Sequence, residues 1–213
     1  MTKFLAPNHE VLKKESKDSL RSLVWDNSEV YADYLAQTYY YVNHSERFLA
    51  LAAALFKNED RLLMRRFFKH LGEESAHDQL LLKDIENLGF NIKDFPEHPE
   101  TKMFWETQYY KIQHEDPATL LGYIYFLEDL ACDICPELTK LLLPLFGEKT
   151  VRFLKLHGEE DPDHVEKAYE QIMKLAPERQ ELIAMNYEQS ARAYCQMITA
   201  VAVARSKKLL KSA

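Results

Sequence analysis

Apolar residues along this 213-residue chain recur at three- and four-residue intervals, and no stretch alternates strictly as a half-buried strand would. The pattern predicts a first helix from about Glu10 to Leu23. A second starts at Ser28, which reads as an N-cap after Asp26-Asn27, and carries Tyr31, Leu35, Tyr39 and Val42 on one stripe. It continues to Leu55, with Asn43 as the place for a kink. A third helix follows Asn58 and ends at Gly89, a residue suited to the left-handed position after a helix. Asn91 to Pro99 is the main loop, and a fourth helix covers Thr101 to Gln113. Asp116-Pro117 reads as N-cap and first turn of a fifth, which carries Leu120, Leu121, Ile124, Leu127, Leu130 and Ile134 and meets a kink site at Pro136. A sixth runs from Gly147 through Met173, interrupted around Gly158 and Pro162, and Pro177 opens a last helix reaching about Leu210. Seven helices with short connections and no solenoid repeat make an all-α bundle, residues 1–213 forming one domain.

Composition narrows the setting. Charged residues make up 29% of the chain, and the longest apolar run, around Met197 to Val203, falls far short of the roughly 20 residues a membrane span needs. Met1 to Pro7 lacks the order of a secretory signal, and three cysteines without framework spacing suit a reducing compartment, so the expected location is the cytoplasm. A net charge of −7 argues against nucleic acid. Lys207, Lys208 and Lys211 are placed to favour the C-terminal dipole of the last helix.

The chemistry lies in a repeated word. His70, Glu74 and His77, and again His157, Asp161 and His164, follow the spacing i, i+4, i+7. On an α-helix these positions fall within an arc of roughly 60°, so each copy aims an acid and two imidazoles the same way. A carboxylate-bridged metal pair in a bundle takes a Glu from each of two helices and an acid-x-x-His pair from each of two others. Glu46, Glu74-x-x-His77, Glu128 and Asp161-x-x-His164 offer those parts in alternating order. Glu128 stands out within Tyr123-Ile124-Tyr125-Phe126-Leu127-Glu128, because a buried lone carboxylate is costly unless a cation compensates it. Glu46, beside Arg47, reads equally well as surface charge, and a solvated acidic turn is the alternative for the tract Glu159 to Asp163. Oxygen and imidazole donors without thiolate suit iron or manganese better than zinc.

The segment Phe153 to Glu166, with His157-x3-Asp161-x2-His164, resembles the signature helix of the heme-oxygenase-like di-iron oxidases and oxygenases, the superfamily that shares the TenA/PqqC-like fold. Glu73-Glu74-Ser75-Ala76-His77 resembles its partner helix. The resemblance implies His77, Glu128, His157, Asp161 and His164 as iron ligands and Glu74 as the carboxylate of the partner helix. One common pattern has Glu seven residues before the His; this chain has His70 there, as a further ligand or a supporting group. It further implies two non-heme irons, O2 as cosubstrate, a small organic substrate and reactions such as N-oxygenation, oxidative decarboxylation or C–C cleavage. An external electron donor and a homodimer are compatible with it.

Gly158 and Pro162 weaken the sixth helix at the proposed ligands, so residues 153–166 are expected to be loose without metal and ordered by it. Cys132-x-x-Cys135 has redox spacing without the strand that gives it meaning, and reads as core cysteine. Cys135 keeps open a metal-independent TenA-like thiaminase or hydrolase, and a non-catalytic metal-binding or structural bundle is the remaining alternative. His9 and His114 read as surface residues.

Overall fold

The computed structural model describes residues 8–212, without the side chains of residues 160, 162, 163 and 206–212. Met1 to Pro7, where no secretory signal is expected, and the Lys207, Lys208 and Lys211 side chains lie outside the described residues. Among the described residues nine α-helices follow one another: α1 His9–Arg21, α2 Ser28–Val42, α3 Ser45–Leu55, α4 Arg61–Glu73, α5 His77–Asn87, α6 Pro99–His114, α7 Leu120–Phe146, α8 Arg152–Ile172 and α9 Pro177–Ser212. Among the described residues there is no strand, and no helix is long and apolar enough to cross a membrane.

The two helices beyond the expected seven come from breaks. The second predicted helix parts at Asn43-His44 into α2 and α3, and the third parts at Ser75-Ala76 into α4 and α5. Ala76 adopts φ 67°, the only left-handed non-glycine residue described, and its N–H donates to Glu46 Oε1 of α3 at 3.1 Å. The N-cap of α2 is Asn27 rather than Ser28, its side chain accepting the N–H groups of Glu29 and Val30. At the end of α5 the expectation holds: Gly89 has φ 89°, Phe90 N–H reaches Ile85 O and Gly89 N–H reaches Glu86 O, the paired bonds of a Schellman cap.

The interruption expected around Gly158 and Pro162 does not occur. α7 runs unbroken through Pro136 and Pro144, and α8 runs unbroken past Gly158 and Pro162. Each proline removes one backbone donor, and tertiary packing on these helices outweighs that local loss. α7 is apolar nearly all round and lies in the centre, packed along α8 and crossed by α9. The crossing is close at Gly122, where a Cβ would collide with the Ile183 carbonyl and stand 2.8 Å from Tyr187 N. Asp84 of α5, fully buried, accepts the N–H of Phe153 at 3.0 Å and so caps α8.

α1 lies parallel to α7 and is tied to it by charge. Lys13 pairs with Asp129 at 2.9 Å, Lys17 with Asp133 at 2.9 Å and Arg21 with Glu137 at 2.6 Å, each partner 116 positions along the chain. His9 is not a surface residue. It is 7% exposed, bonds Asp129 Oδ2 at 3.0 Å and packs against Tyr187 with ring centroids 5.0 Å apart. His114 is exposed, as expected.

Candidate metal centre

Three stretches of helix bring the predicted chemistry to one place beside the middle of α7. α7 supplies Glu128, which is 6% exposed; α4 supplies His70 from its last turn and is followed by Glu74 at its C-cap; α5 begins with His77; α8 supplies His157, Asp161 and His164. The break at Ser75-Ala76 lets α4 and α5 approach the centre separately. The capping bond from Asp84 to Phe153 N–H ties α5 to the start of α8, one turn before His157.

The donor atoms fall into two groups that share one residue. His70, Glu74, Glu128 and His164 place one atom each within 4.8 Å of one another, as do Glu74, His77 and His157. Glu74 Oε1 lies 3.3 Å from His70 Nε2, and its Oε2 lies 3.4 Å from His77 Nδ1. One carboxylate therefore faces both groups. Glu128 Oε1 is 3.2 Å from His70 Nε2 and 3.5 Å from His164 Nδ1. The rings of His70 and His164 sit 5.2 Å apart, and those of His77 and His157 5.1 Å apart. His157 Nδ1 donates to Phe153 O at 3.0 Å, in the tautomer that leaves Nε2 as a lone-pair donor.

Of the residues singled out in the sequence, Glu74, His77, Glu128, His157 and His164 stand in these two groups. Asp161 is beside them, 2% exposed, with Oδ1 3.8 Å from His164 Nδ1. Glu46 does not join: its side chain is exposed and its carboxylate holds the Ala76 N–H. The fourth place in the first group belongs to His70, whose burial at 5% separates it from a solvated histidine. Glu73, which the sequence reading passed over beside Glu74, lies 3.7 Å from His164 Nε2. Nothing in the pattern distinguished it from the exposed acids around it.

Charge at the site is held by protons. Burial opposes ionisation of Glu74, but the hydrogen bonds of His70 and His77 and the nearby His157 hold its carboxyl well below the usual range. Burial disfavours the His70 cation, yet Glu128 and Glu74 raise that imidazole to about 9. Asp161 and Glu128 push His164 up to about 10. Burial lifts Asp161 itself to about 6. The fit to a metal shows in what stays unsatisfied. Both Glu128 oxygens, Asp161 Oδ2 and His164 Nδ1 are buried without an aligned hydrogen bond among the described residues, although ion-pair contacts surround them. Buried polar atoms are normally paired, and a cation between these donors would satisfy them. Imidazole and carboxylate donors without thiolate fit iron or manganese.

The centre opens onto a cavity of about 90 Å³, with His70, Glu74, Glu128, His157 and Asp161 on its wall. The rest of the wall is mainly aromatic and aliphatic, including Phe48, Leu49, Tyr123, Ile124 and Leu127, and among the described residues no lysine or arginine borders it. The Tyr123 hydroxyl is buried there with no hydrogen-bond partner among the described residues. Cys135 also borders the cavity, but burial first, then the neighbouring Asp161 charge, pushes its thiol well above the ordinary value.

The all-helical bundle thus carries buried imidazole and carboxylate donors, in two adjoining groups, that could hold metal ions. The profile of the family described as iron-containing redox enzyme matches residues 32–197, and the chain belongs to that family. No curated protein matches significantly. Among solved structures, a domain of unknown function with a heme oxygenase-like fold from Shewanella denitrificans superposes with TM-score 0.82 at 21% identity, over 95% of this chain and 93% of that one. A TenA homologue from Pseudomonas syringae pv. tomato gives TM-score 0.74 at 13% identity, over 93% of both chains. A TenA homologue from Pyrococcus furiosus gives 0.66 at 14% identity, over 90% of this chain and 98% of that one. The fold is therefore the heme-oxygenase-like, TenA-type bundle.

Proposed function

We propose that this chain is a non-heme di-iron oxidase or oxygenase that uses O2 to oxidise a small organic substrate. The observation that carries the reading is the division of the buried donors into two groups sharing Glu74. Membership of an iron-containing redox family supports the choice of metal. Iron, when bound, supplies the O2 and redox chemistry. His70, Glu128 and His164 would hold one ion and His77 and His157 the other, with Glu74 available to both and Asp161 beside His164.

The chain's own contribution is placement. Glu74, held ionised, needs no deprotonation to accept a cation, whereas His70 and His164 must each release a proton as metal enters. The apolar wall excludes water from the reacting space and orients a small substrate against the donors. Tyr123, with its free hydroxyl, is placed to donate a hydrogen bond to whatever occupies the cavity.

The test is metal analysis after anaerobic ferrous reconstitution, followed by stopped-flow mixing with O2. The reading expects two irons per chain and a transient visible chromophore whose decay accelerates when a substrate is present. Absence of iron binding, or iron binding indifferent to His157→Ala, would defeat it. A TenA-like hydrolase using Cys135 is the second reading, favoured by that thiol's place on the cavity wall. Its pKa, raised by burial, works against a thiolate nucleophile. Cys135→Ser should leave iron content and oxygen reactivity intact if the first reading holds and abolish turnover of thiamin-like substrates if the second does.

A further inference from the structure

Beyond Phe48, at the junction of α3 and α6, a set of groups takes no part in the metal centre. His44 stacks on Trp105 with ring centroids 3.8 Å apart and planes inclined by 15°. The Tyr109 hydroxyl lies 2.9 Å from His44 Nδ1, and the Trp105 indole N–H donates to Glu97 Oε1 at 2.6 Å. Tyr109 packs on Phe48 at 4.7 Å between centroids, and Phe48 borders the cavity. His44, Trp105 and Tyr109 are half-buried, so solvent reaches the outer side of the set.

Packing α3 against α6 requires rings but not this arrangement of acceptors. A phenol or an indole becomes a strong acid when it loses an electron, so it is oxidised readily only where a base can take the proton. Both oxidisable rings have one: an imidazole for Tyr109 and a carboxylate for Trp105. Burial, and then Arg47, lower the His44 pKa, so the ring is neutral near pH 7 and its Nδ1 lone pair can accept. Electron tunnelling falls steeply with distance, and here one ring, Phe48, separates Tyr109 from the cavity.

We infer that Tyr109, His44 and Trp105 form a one-electron relay that drains an O2-derived oxidant from the cavity to solvent when no substrate consumes it. The inference rests on the oxygenase reading of the metal centre. In the first step the oxidant gains one electron from Tyr109, whose phenolic proton passes to His44 Nδ1, leaving a neutral phenoxyl radical and an imidazolium. In the second, Trp105 returns an electron to Tyr109, the phenol recovers its proton from His44, and the indole proton moves to Glu97. A soluble one-electron donor of the ascorbate type then reduces Trp105, and Glu97 returns the proton. These residues are relay groups and do not touch the substrate.

The test has two arms, both read by electron paramagnetic resonance. In metal-free protein, photogenerated ruthenium(III) tris-bipyridine should produce a neutral tyrosyl signal that Tyr109→Phe removes. His44→Phe, which keeps a ring on Trp105, should shift the hydrogen-bond-sensitive g component of that signal, a change that a merely structural role would not cause. A signal that survives Tyr109→Phe, or ignores His44→Phe, overturns the relay whatever the cavity binds. In iron-loaded, substrate-free protein exposed to O2, the same signal should appear and last longer in Trp105→Phe. Oxygen consumption without the Tyr109 signal, or with a lifetime indifferent to Trp105→Phe, overturns the relay and leaves the oxygenase reading standing. Failure to bind iron, read by metal analysis, overturns that reading and removes the oxidant the relay would drain.

Discussion

The two oxygens of Glu74 face different imidazoles, His70 through Oε1 and His77 through Oε2. Substitutions at the centre should therefore be unequal in effect. His70→Ala removes a donor from one group and His77→Ala from the other, so each variant should lose about half of the bound iron. Glu74→Ala removes a donor common to both and should lose most of it; metal content per chain after reconstitution measures all three. Equal losses in the three variants would mean that the carboxylate is not shared. These residues were legible because helical spacing alone brings His70, Glu74 and His77 to one side. The rank of His70 above Glu46 was not legible, since burial comes from the neighbouring helices and leaves no mark on the local pattern.

At the scale of elements, the joint at Ser75-Ala76 is the feature that hydrophobic periodicity missed. Gly72 is helical within α4, while an alanine takes the left-handed turn. A Cβ in that conformation is strained, so Ala76→Gly should stabilise the protein by about 0.5–1 kcal/mol, read as a shift in the denaturation midpoint. The opposite sign is expected at Gly122, where Gly122→Ala forces α7 and α9 apart and should cost about 1–3 kcal/mol in the same measurement. Gly89 was readable because its φ follows from a helix end, whereas the demand for Gly122 arises from a chain segment some sixty positions away. In α8 the proline expected to interrupt the helix lies inside it, so its effect is expected in local stability rather than in shape. Amide exchange across 153–166 should slow on iron loading more than exchange in α2. Equal protection of that segment with and without iron would remove the link between metal binding and local order.

For the whole molecule, the protons stored at the centre set how stability depends on pH without metal. His70 and His164 titrate at about 9 and about 10 in the folded chain, above the histidine reference of about 6.5. Groups raised in this way stabilise fully below the unfolded value and lose that contribution as pH climbs through the folded one. The melting temperature of metal-free protein should thus fall from neutral pH upward, and the fall should be smaller in His164→Asn. Iron-loaded protein, with both imidazoles engaged by metal, should be flatter over the same range. The clamp of α1 on α7 has a different global meaning. Because Lys13, Lys17 and Arg21 meet Asp129, Asp133 and Glu137 at a constant offset, a displacement of α1 by one turn would mate Lys13 with Asp133 and Lys17 with Glu137 and keep most of the attraction. Lys13 already reaches Asp133 at 3.2 Å. Charge thus fastens α1 without choosing its register, and the choice falls to shape: His9 lodged against Tyr187 and Leu12 and Leu20 sunk in the core admit a single setting.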